Sequence, residues 1–411
     1  MCIRALAIHR WRMTAILVEE TPAADGVEGS GFSLVPGGPL FRLLRRAHMA
    51  DNELHLVQRR LALVVLVTWA PILALAGLAG ALLGPGRTVI NDIGFQLRFL
   101  VAAPLLILAE LVVHQRMRLI VGQFRARDLI APSQAARFDA AVAEALRWRD
   151  STLAEVALLA FVYAAGGLFT LHRYEAMPGP AWYAAGNGRV SAAGLWLVFV
   201  SLPLFQFLLL RWYLRLFIWA RFLWRMARLN LDLNVTHPDR AGGLGFLGDS
   251  LAAFVPIAVA HGVLFSGTIA DQILFTGARL TDFKWQILGG AVLVVLVFAG
   301  PLAVFAPHLA RVKRMGLLAY GAVGERYVRE FRDKWMRGGA PPDEPLVGSG
   351  DIQSLADLGN SFGNAEQMRF IPVTPWLIIA FIGGFIAPIL PLLLTMMSLE
   401  KLLEQLAGLV F

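Results

Sequence analysis

The chain has 411 residues, of which 57% are hydrophobic and 16% charged, and it carries a formal net charge of +8. Soluble domains are about half apolar and about a quarter charged, so this composition excludes a soluble globular protein. The cations lie beside apolar blocks, which argues against nucleic-acid binding, and Cys2 is the only cysteine, which excludes intrachain disulfides and cysteine-based zinc sites.

Residues 1–48 are predicted to form a flexible N-terminal tail. The apolar stretch at 5–18 is interrupted by two arginines and does not resemble a signal peptide. Residues 21–39 are rich in glycine, proline and alanine, and such a segment buries too little apolar surface to fold alone. A start at Met49 is an alternative.

Seven segments are apolar and long enough to cross a membrane, for which a helix needs about 20 residues. They are 61–84, 97–114, 153–171, 192–210, 251–275, 285–306 and 376–397. Prolines inside them predict kinks, because each proline removes a helix hydrogen bond. These prolines are Pro71, Pro104, Pro203, Pro256, Pro301, Pro388 and Pro391. The prediction is an all-α polytopic bundle, with six spans in 49–306 and a last span plus an outer amphipathic helix in 375–411.

Lysine and arginine are distributed unequally between the connections of these segments. Cytoplasmic loops retain such residues, and the N-terminal region and the second, fourth and sixth connections hold most of them. The other side has only Arg87, Arg173, Arg189, Arg279, Lys284 and Lys401, with Arg98 at the mouth of a span. An odd number of spans, with the N-terminus inside and the C-terminus outside, reproduces this alternation.

The cytoplasmic side is predicted to carry amphipathic helices. Beyond the fourth span, five arginines lie on an arc of about 140° of one helix, opposite tryptophan and leucine. They are Arg211, Arg215, Arg221, Arg225 and Arg228. They predict a helix that binds anionic lipid headgroups, or alternatively a span end whose arginines are solvated. Residues 307–374 predict a cytoplasmic region of two helices separated by a Pro/Gly linker at 338–350.

The most unusual stretch is the glycine-rich loop at 236–248, which contains a formal G-x-G-x-x-G pattern. A dinucleotide fold is rejected because a membrane span follows it. Backbone N–H groups before a helix could instead bind an anion or a lipid headgroup. Alternatively, the glycines only turn the chain, and Asp239 or Thr236 accepts the N–H groups. The candidate residues are His237, Asp239, Arg240, Gly242, Gly243 and Gly245. A metal site would need further ligands.

Ionisable residues within spans are costly and are therefore functional candidates. They are Arg98, Glu110, His114, Glu155, His261 and Asp271. Arg98 and Asp271 are both predicted near the outer face, where they could pair. Glu110 and His261 are predicted at similar depth, where together they could relay protons. The alternative is that all but these two are hydrated at an interface. No catalytic motif is present, so neither enzyme chemistry nor a cofactor is predicted.

Three stretches resemble a family of uncharacterised bacterial multi-pass membrane proteins: 236–246, 353–362 with Met368 and Arg369, and 390–395. The resemblance implies a bacterial inner membrane and transfers no site residues. The leading hypothesis is a transport-like or channel-like protein. The alternatives are a non-transporting scaffold or sensor that binds lipid or a partner through cytoplasmic helices, and a lipid-headgroup enzyme. A polar cavity joining Glu110 and His261 would favour transport, and a packed interior the scaffold. Homo-oligomerisation is left open.

Overall fold

The computed structural model describes residues 32–46, 56–84, 86–166, 181–185 and 189–396. Within these ranges the regular secondary structure is helical, apart from a short antiparallel pairing of β1 (Ala184–Ala185) with β2 (Arg189–Val190). The predicted outer amphipathic helix, the proposed start at Met49 and the end of the third predicted span lie outside the described residues.

Six helices of the described chain are long and apolar enough to cross a membrane, and each overlaps one of the predicted spans. The third predicted span is described only as a shorter apolar helix, α5 (Thr152–Ala164). The predicted all-α class is therefore confirmed, and the length and composition of these helices are consistent with a membrane bundle. The six are α2 (Val57–Leu78), α3 (Ile93–Ala126), α6 (Ala192–Met226), α7 (Gly245–Thr276), α8 (Leu280–Met336) and α10 (Pro375–Thr395).

Three further helices, α1 (Gly38–Arg46), α4 (Ala135–Arg149) and α9 (Gly350–Glu366), connect or flank the spans. Helix α8 has 57 residues, a length of about 85 Å against a hydrocarbon core of about 30 Å. Its second half therefore extends well beyond the apolar layer. Helix α9 folds back onto it, where the Tyr327 hydroxyl donates to the carbonyl of Asp351 at 3.1 Å.

The prolines predicted to bend the spans lie at changes of helix geometry. A π-helical turn immediately precedes the segment that contains Pro104 and another precedes the one that contains Pro203. The wider turn moves a carbonyl away from the proline ring, which would otherwise collide with it. Pro301 and Pro388 lie at the start of 3₁₀ segments. The helix geometry therefore changes near four of the prolines at which the sequence predicts kinks.

Helix α7 lies at the centre of the bundle. In its most apolar window 61% of residues are buried, against 17% for α10. A Cβ atom on Gly262 would lie 2.0 Å from the carbonyl oxygen of Phe385, and one on Gly267 would lie 2.9 Å from Cα of Gly94. Glycine thus permits α7 to approach α10 on one side and α3 on the other, as small residues do in membrane bundles.

Residues 32–46 pack against the bundle, which differs from the flexible tail predicted for the N-terminal region. Phe32 is fully buried, and its ring centroid lies 5.1 Å from that of Phe222. The backbone N–H of Leu40, in the first turn of α1, donates to Glu155 at 2.9 Å. The composition of this region predicts disorder when it is considered alone, but the apolar surface that orders it is supplied by other helices.

Candidate functional site

A group of charged side chains, here called the ion cluster, lies inside the bundle. Its members come from α2, α3, α5 and α6, and each is at most 7% exposed. A charge placed alone in an apolar interior costs several kcal/mol, so these groups must compensate one another. The ion cluster consists of Arg60, Glu110, Glu155, Arg211 and Arg215.

Glu110 is the centre of the ion cluster. One of its oxygens accepts a hydrogen bond from Arg215 at 2.8 Å, and the other accepts from Arg60. Arg211 lies 3.8 Å from the first oxygen and donates through Nε to Glu155 at 3.1 Å. Because each partner belongs to a different helix or turn, these bonds tie four helices together. Charge-assisted pairs of this kind are stronger than neutral hydrogen bonds.

The guanidinium groups outnumber the carboxylates in the ion cluster. One nitrogen of Arg60, Nη1, is buried and has no hydrogen-bond partner among the described residues. Next to the cluster, His114 Nδ1 lies 2.7 Å from the hydroxyl of Ser33, which belongs to the ordered N-terminal segment. Three of the predicted intramembrane residues, Glu110, His114 and Glu155, thus lie in or beside the ion cluster. Arg60, Arg211 and Arg215 are members that sequence reasoning did not assign to it.

The prediction that Arg211 and Arg215 bind lipid headgroups is wrong. Both side chains are buried, at 5% and 4% exposure, and face Glu110. The helical projection correctly placed the arginines on one arc, but it could not say that this part of the arc faces other helices. Further along α6, Arg221 and Arg225 are half-exposed and pair with Glu144 of α4.

The predicted contact between Glu110 and His261 does not form. His261 Nδ1 lies 2.7 Å from the carbonyl of Ile257, and its Nε2 lies 2.6 Å from the hydroxyl of Tyr213. Since a carbonyl only accepts, Nδ1 carries the proton and Nε2 accepts from Tyr213. The two residues were predicted at similar depth from their positions along the spans. Their partners depend on which helices are neighbours, and the sequence does not reveal that.

A second group of charges lies where the start of α3 meets the last turns of α7. Arg87 donates to both oxygens of Asp92, at 2.9 and 3.1 Å, and to Asp271 at 2.5 Å. The N–H of Gly94 also donates to Asp271, at 3.1 Å. The predicted pairing of Asp271 with Arg98 is therefore wrong, because Arg87, on the loop before α3, occupies that position.

Sequence reasoning missed Arg87 and Asp92, although a local signal was present. Asp92 directly precedes α3 and accepts from the N–H of Phe95 at 2.9 Å, as an N-cap does. Its other oxygen accepts from the indole of Trp182 at 2.9 Å. The local signal is an N-capping aspartate at the start of a span, five residues after an arginine, and here the two residues form a partly buried ion pair.

The glycine-rich loop is organised around Asp239. Its carboxylate accepts the backbone N–H groups of Ala241 at 2.8 Å, Gly243 at 3.2 Å and Gly245 at 2.7 Å. The N–H groups proposed to bind an anion are thus occupied by an anion of the chain itself. This geometry matches the alternative in which the glycines turn the chain and Asp239 satisfies its backbone.

Backbone conformation explains why glycines are needed in this loop. Gly242 and Gly243 have φ values of 66° and 95°, which side chains rarely adopt, and Arg240 is a non-glycine residue with a φ of 52°. Arg240 has an exposed side chain, and its carbonyl accepts the N–H of Arg369 at 2.7 Å. His237 Nδ1 lies 2.9 Å from the Asp239 carboxylate. Two of the stretches that carried the family resemblance therefore contact each other.

No group of three or more histidine, cysteine, aspartate or glutamate residues in the described part of the chain could hold a metal ion. The polar groups of the site instead bond to one another. The arrangement can fix helix positions and hold charge inside the bundle.

The Asp239 carboxylate should stabilise the fold in a pH-dependent way. Partial burial raises its pKa, but the three N–H donors outweigh that effect and hold the pKa below its ordinary value. Its contribution is therefore present above the pKa of the unfolded chain, about 4, and is lost as pH falls through the folded pKa. We expect Asp239→Ala to lower the free energy of unfolding by about 1–3 kcal/mol at neutral pH, with the deficit shrinking below about pH 4.

Thermal unfolding of the purified protein across this pH range measures the effect. Asp232→Ala is the matched control, because that aspartate is exposed on the same connection. A deficit for Asp239→Ala that equals the control, or that does not change with pH, would contradict the assignment.

No family model matches the chain, and neither a curated protein nor a solved structure matches it. The resemblance to bacterial multi-pass membrane proteins therefore stays a prediction. The functional proposals rest on the geometry of the described residues.

Proposed function

We propose that this protein is a non-transporting scaffold or sensor of a bacterial inner membrane. The observation that carries the proposal is the position of Glu110, whose two oxygens are each held by a guanidinium group from a different helix. Such a residue fixes the relative positions of α2, α3 and α6. We therefore assign the buried charges to the stability of the bundle.

A proton relay needs a group that gains and loses a proton beside a second such group. Protonation of Glu110 would remove the charge that pairs with Arg60 and Arg215 and place an O–H on one of the two oxygens that accept from them. His261 is held by Tyr213 and a backbone carbonyl and does not face Glu110. The alternative of a lipid-headgroup enzyme at the glycine-rich loop is also disfavoured, because Asp239 occupies the N–H groups that would bind a phosphate.

The element best suited to a scaffold or sensor is the arm formed by the second half of α8 and by α9. Lys334 pairs with Asp351 at 2.9 Å, and the Trp335 indole donates to the same carboxylate at 2.9 Å, which joins the two helices. Leu318 is 66% exposed and Val323 54% exposed on this arm. Exposed apolar side chains on an amphipathic helix are suited to contact a protein partner.

The same proposal places the arginine-rich face in the cytoplasm, with the N-terminus inside and the C-terminus outside. The positive-inside rule supports this orientation. The contacts also separate the helix ends into two groups. Arg87, Gly94 and Asp271 contact one another at one end of the bundle. At the other, Arg369 meets Arg240.

Proton flux tests the choice between scaffold and relay. We expect proteoliposomes with the wild-type protein, Glu110→Gln or His261→Ala to dissipate a pH gradient no faster than protein-free liposomes, because the two residues share no proton path. A protonophore added at the end of each run shows that the vesicles are sealed. Faster dissipation by the wild type that Glu110→Gln abolishes would establish transport and reject the scaffold. Thermal unfolding of the same samples should show a lower midpoint for Glu110→Gln.

Cysteine accessibility tests the orientation. In a Cys2→Ser background, we expect an impermeant maleimide to label Arg189→Cys in intact cells, since Arg189 is exposed at the predicted outer face. Arg326→Cys, on the 82% exposed Arg326 of the arm, should be labelled only after the cells are opened. Labelling of Arg326→Cys in intact cells would reverse the orientation.

A further inference from the structure

The exposed face of α6, at its arginine-rich end, alternates aromatic and cationic side chains. Phe217, Arg221 and Trp224 follow one another at spacings of four and three residues, which places them on one side of α6, and Arg228 follows four residues later in the turn just beyond the end of the helix. Phe217 is 51% exposed and Trp224 42% exposed. Aromatic rings prefer the headgroup region of a bilayer, and arginine beside them can reach phosphate.

A shallow, open groove, whose enclosed space is only about 10 Å³, lies between this end of α6 and α4. It is lined by Glu144, Trp148, Arg221 and Arg225 among others. The Arg221 guanidinium lies 5.7 Å from the centroid of the Trp148 ring, and Arg228 lies 3.6 Å from that of Trp224. These contacts hold the cationic side chains in place without neutralising them.

The charges of this groove do not balance. Glu144 accepts from Arg221 at 2.5 Å and from Arg225, so one carboxylate serves two guanidinium groups. Arg228 does not line the groove but lies over the Trp224 ring, just beyond the end of α6. The hydrogen bond from Arg221 lowers the pKa of Glu144 below its ordinary value, although burial opposes it, and Arg225 lowers it further. Arg225 also has a buried Nε–H without an acceptor among the described residues. The groove thus retains positive charge and an unsatisfied donor.

We propose that the groove between α4 and α6 binds the headgroup of an anionic phospholipid. Arg221, Arg225 and Arg228 would bind the phosphate, with the exposed rings of Phe217 and Trp224 at the level of the glycerol. The same chemistry would accept a free phosphate ester, but the rings and the adjoining apolar surface of α6 favour a ligand that carries acyl chains. The inference is independent of the scaffold proposal.

Thermal unfolding in mixed micelles tests the site. The purified full-length protein is titrated with phosphatidylglycerol, phosphatidylcholine, glycerol phosphate or inorganic phosphate. Phosphatidylglycerol alone should raise the midpoint of the wild type. In Arg221→Gln/Arg228→Gln the affinity for phosphatidylglycerol should fall about 25-fold, since each basic residue near an anionic surface contributes about fivefold.

The matched control is Arg326→Gln/Arg329→Gln, which removes two exposed arginines of the arm and should keep the wild-type response. Each shift of the unfolding midpoint is measured from the lipid-free midpoint of the same variant. The single variant Arg228→Gln breaks no ion pair among the described residues and should weaken binding of phosphatidylglycerol about fivefold. An equal response in the groove variants and the control, or in phosphatidylcholine and phosphatidylglycerol, would overturn the proposal. A response to inorganic phosphate or glycerol phosphate as large as that to the lipid would overturn the lipid assignment.

Discussion

The Glu110 carboxylate lies between the guanidinium groups of Arg60 and Arg215, inside a bundle whose other buried residues are mostly apolar. Breaking a buried ion pair by removing one partner costs about 3–5 kcal/mol, because the remaining charge is left unsolvated. The three helices that carry these residues can therefore adopt only relative positions that keep the pairs closed. Glu155 extends the same constraint to α5 and, through Leu40, to α1.

The rotation of α6 follows from this constraint. With Arg211 and Arg215 directed at Glu110, residues about half a turn away must face outward, at 100° per residue. Phe217 and Trp224 occupy that outward side, and Arg228 follows in the turn just beyond the end of α6. The interior ion pairs and the proposed lipid groove are thus two faces of one helix, and the first orients the second. The arginine side of α6 therefore has two roles: Arg211 and Arg215 form ion pairs inside the bundle, and Arg221 and Arg225 lie at the proposed lipid groove.

Apolar segment length and proline position are local properties of the sequence, and the sequence predicted the features that depend on them. These are six helices of the described chain that are long and apolar enough to span a membrane, and changes of helix geometry near several prolines. The Asp239 turn was also among the alternatives, because the N–H groups that donate to Asp239 lie within six residues of it. Partner choice is not local. Asp271 pairs with Arg87 and not with Arg98, since loop geometry decides which arginine reaches it. Residues 32–46 read as a tail because their partners, such as Phe222 and Glu155, are more than 100 residues away.

A double-mutant cycle on Glu110 and Arg215 tests the central claim most directly. The free energy of unfolding is measured by SDS titration in mixed micelles for the wild type, Glu110→Gln, Arg215→Met and the double variant. If the ion pair holds the bundle together, each single change destabilises the protein strongly and the double change costs less than their sum, with a coupling of at least about 1 kcal/mol. Additive losses would contradict the claim, because they would mean that the two residues stabilise the fold independently.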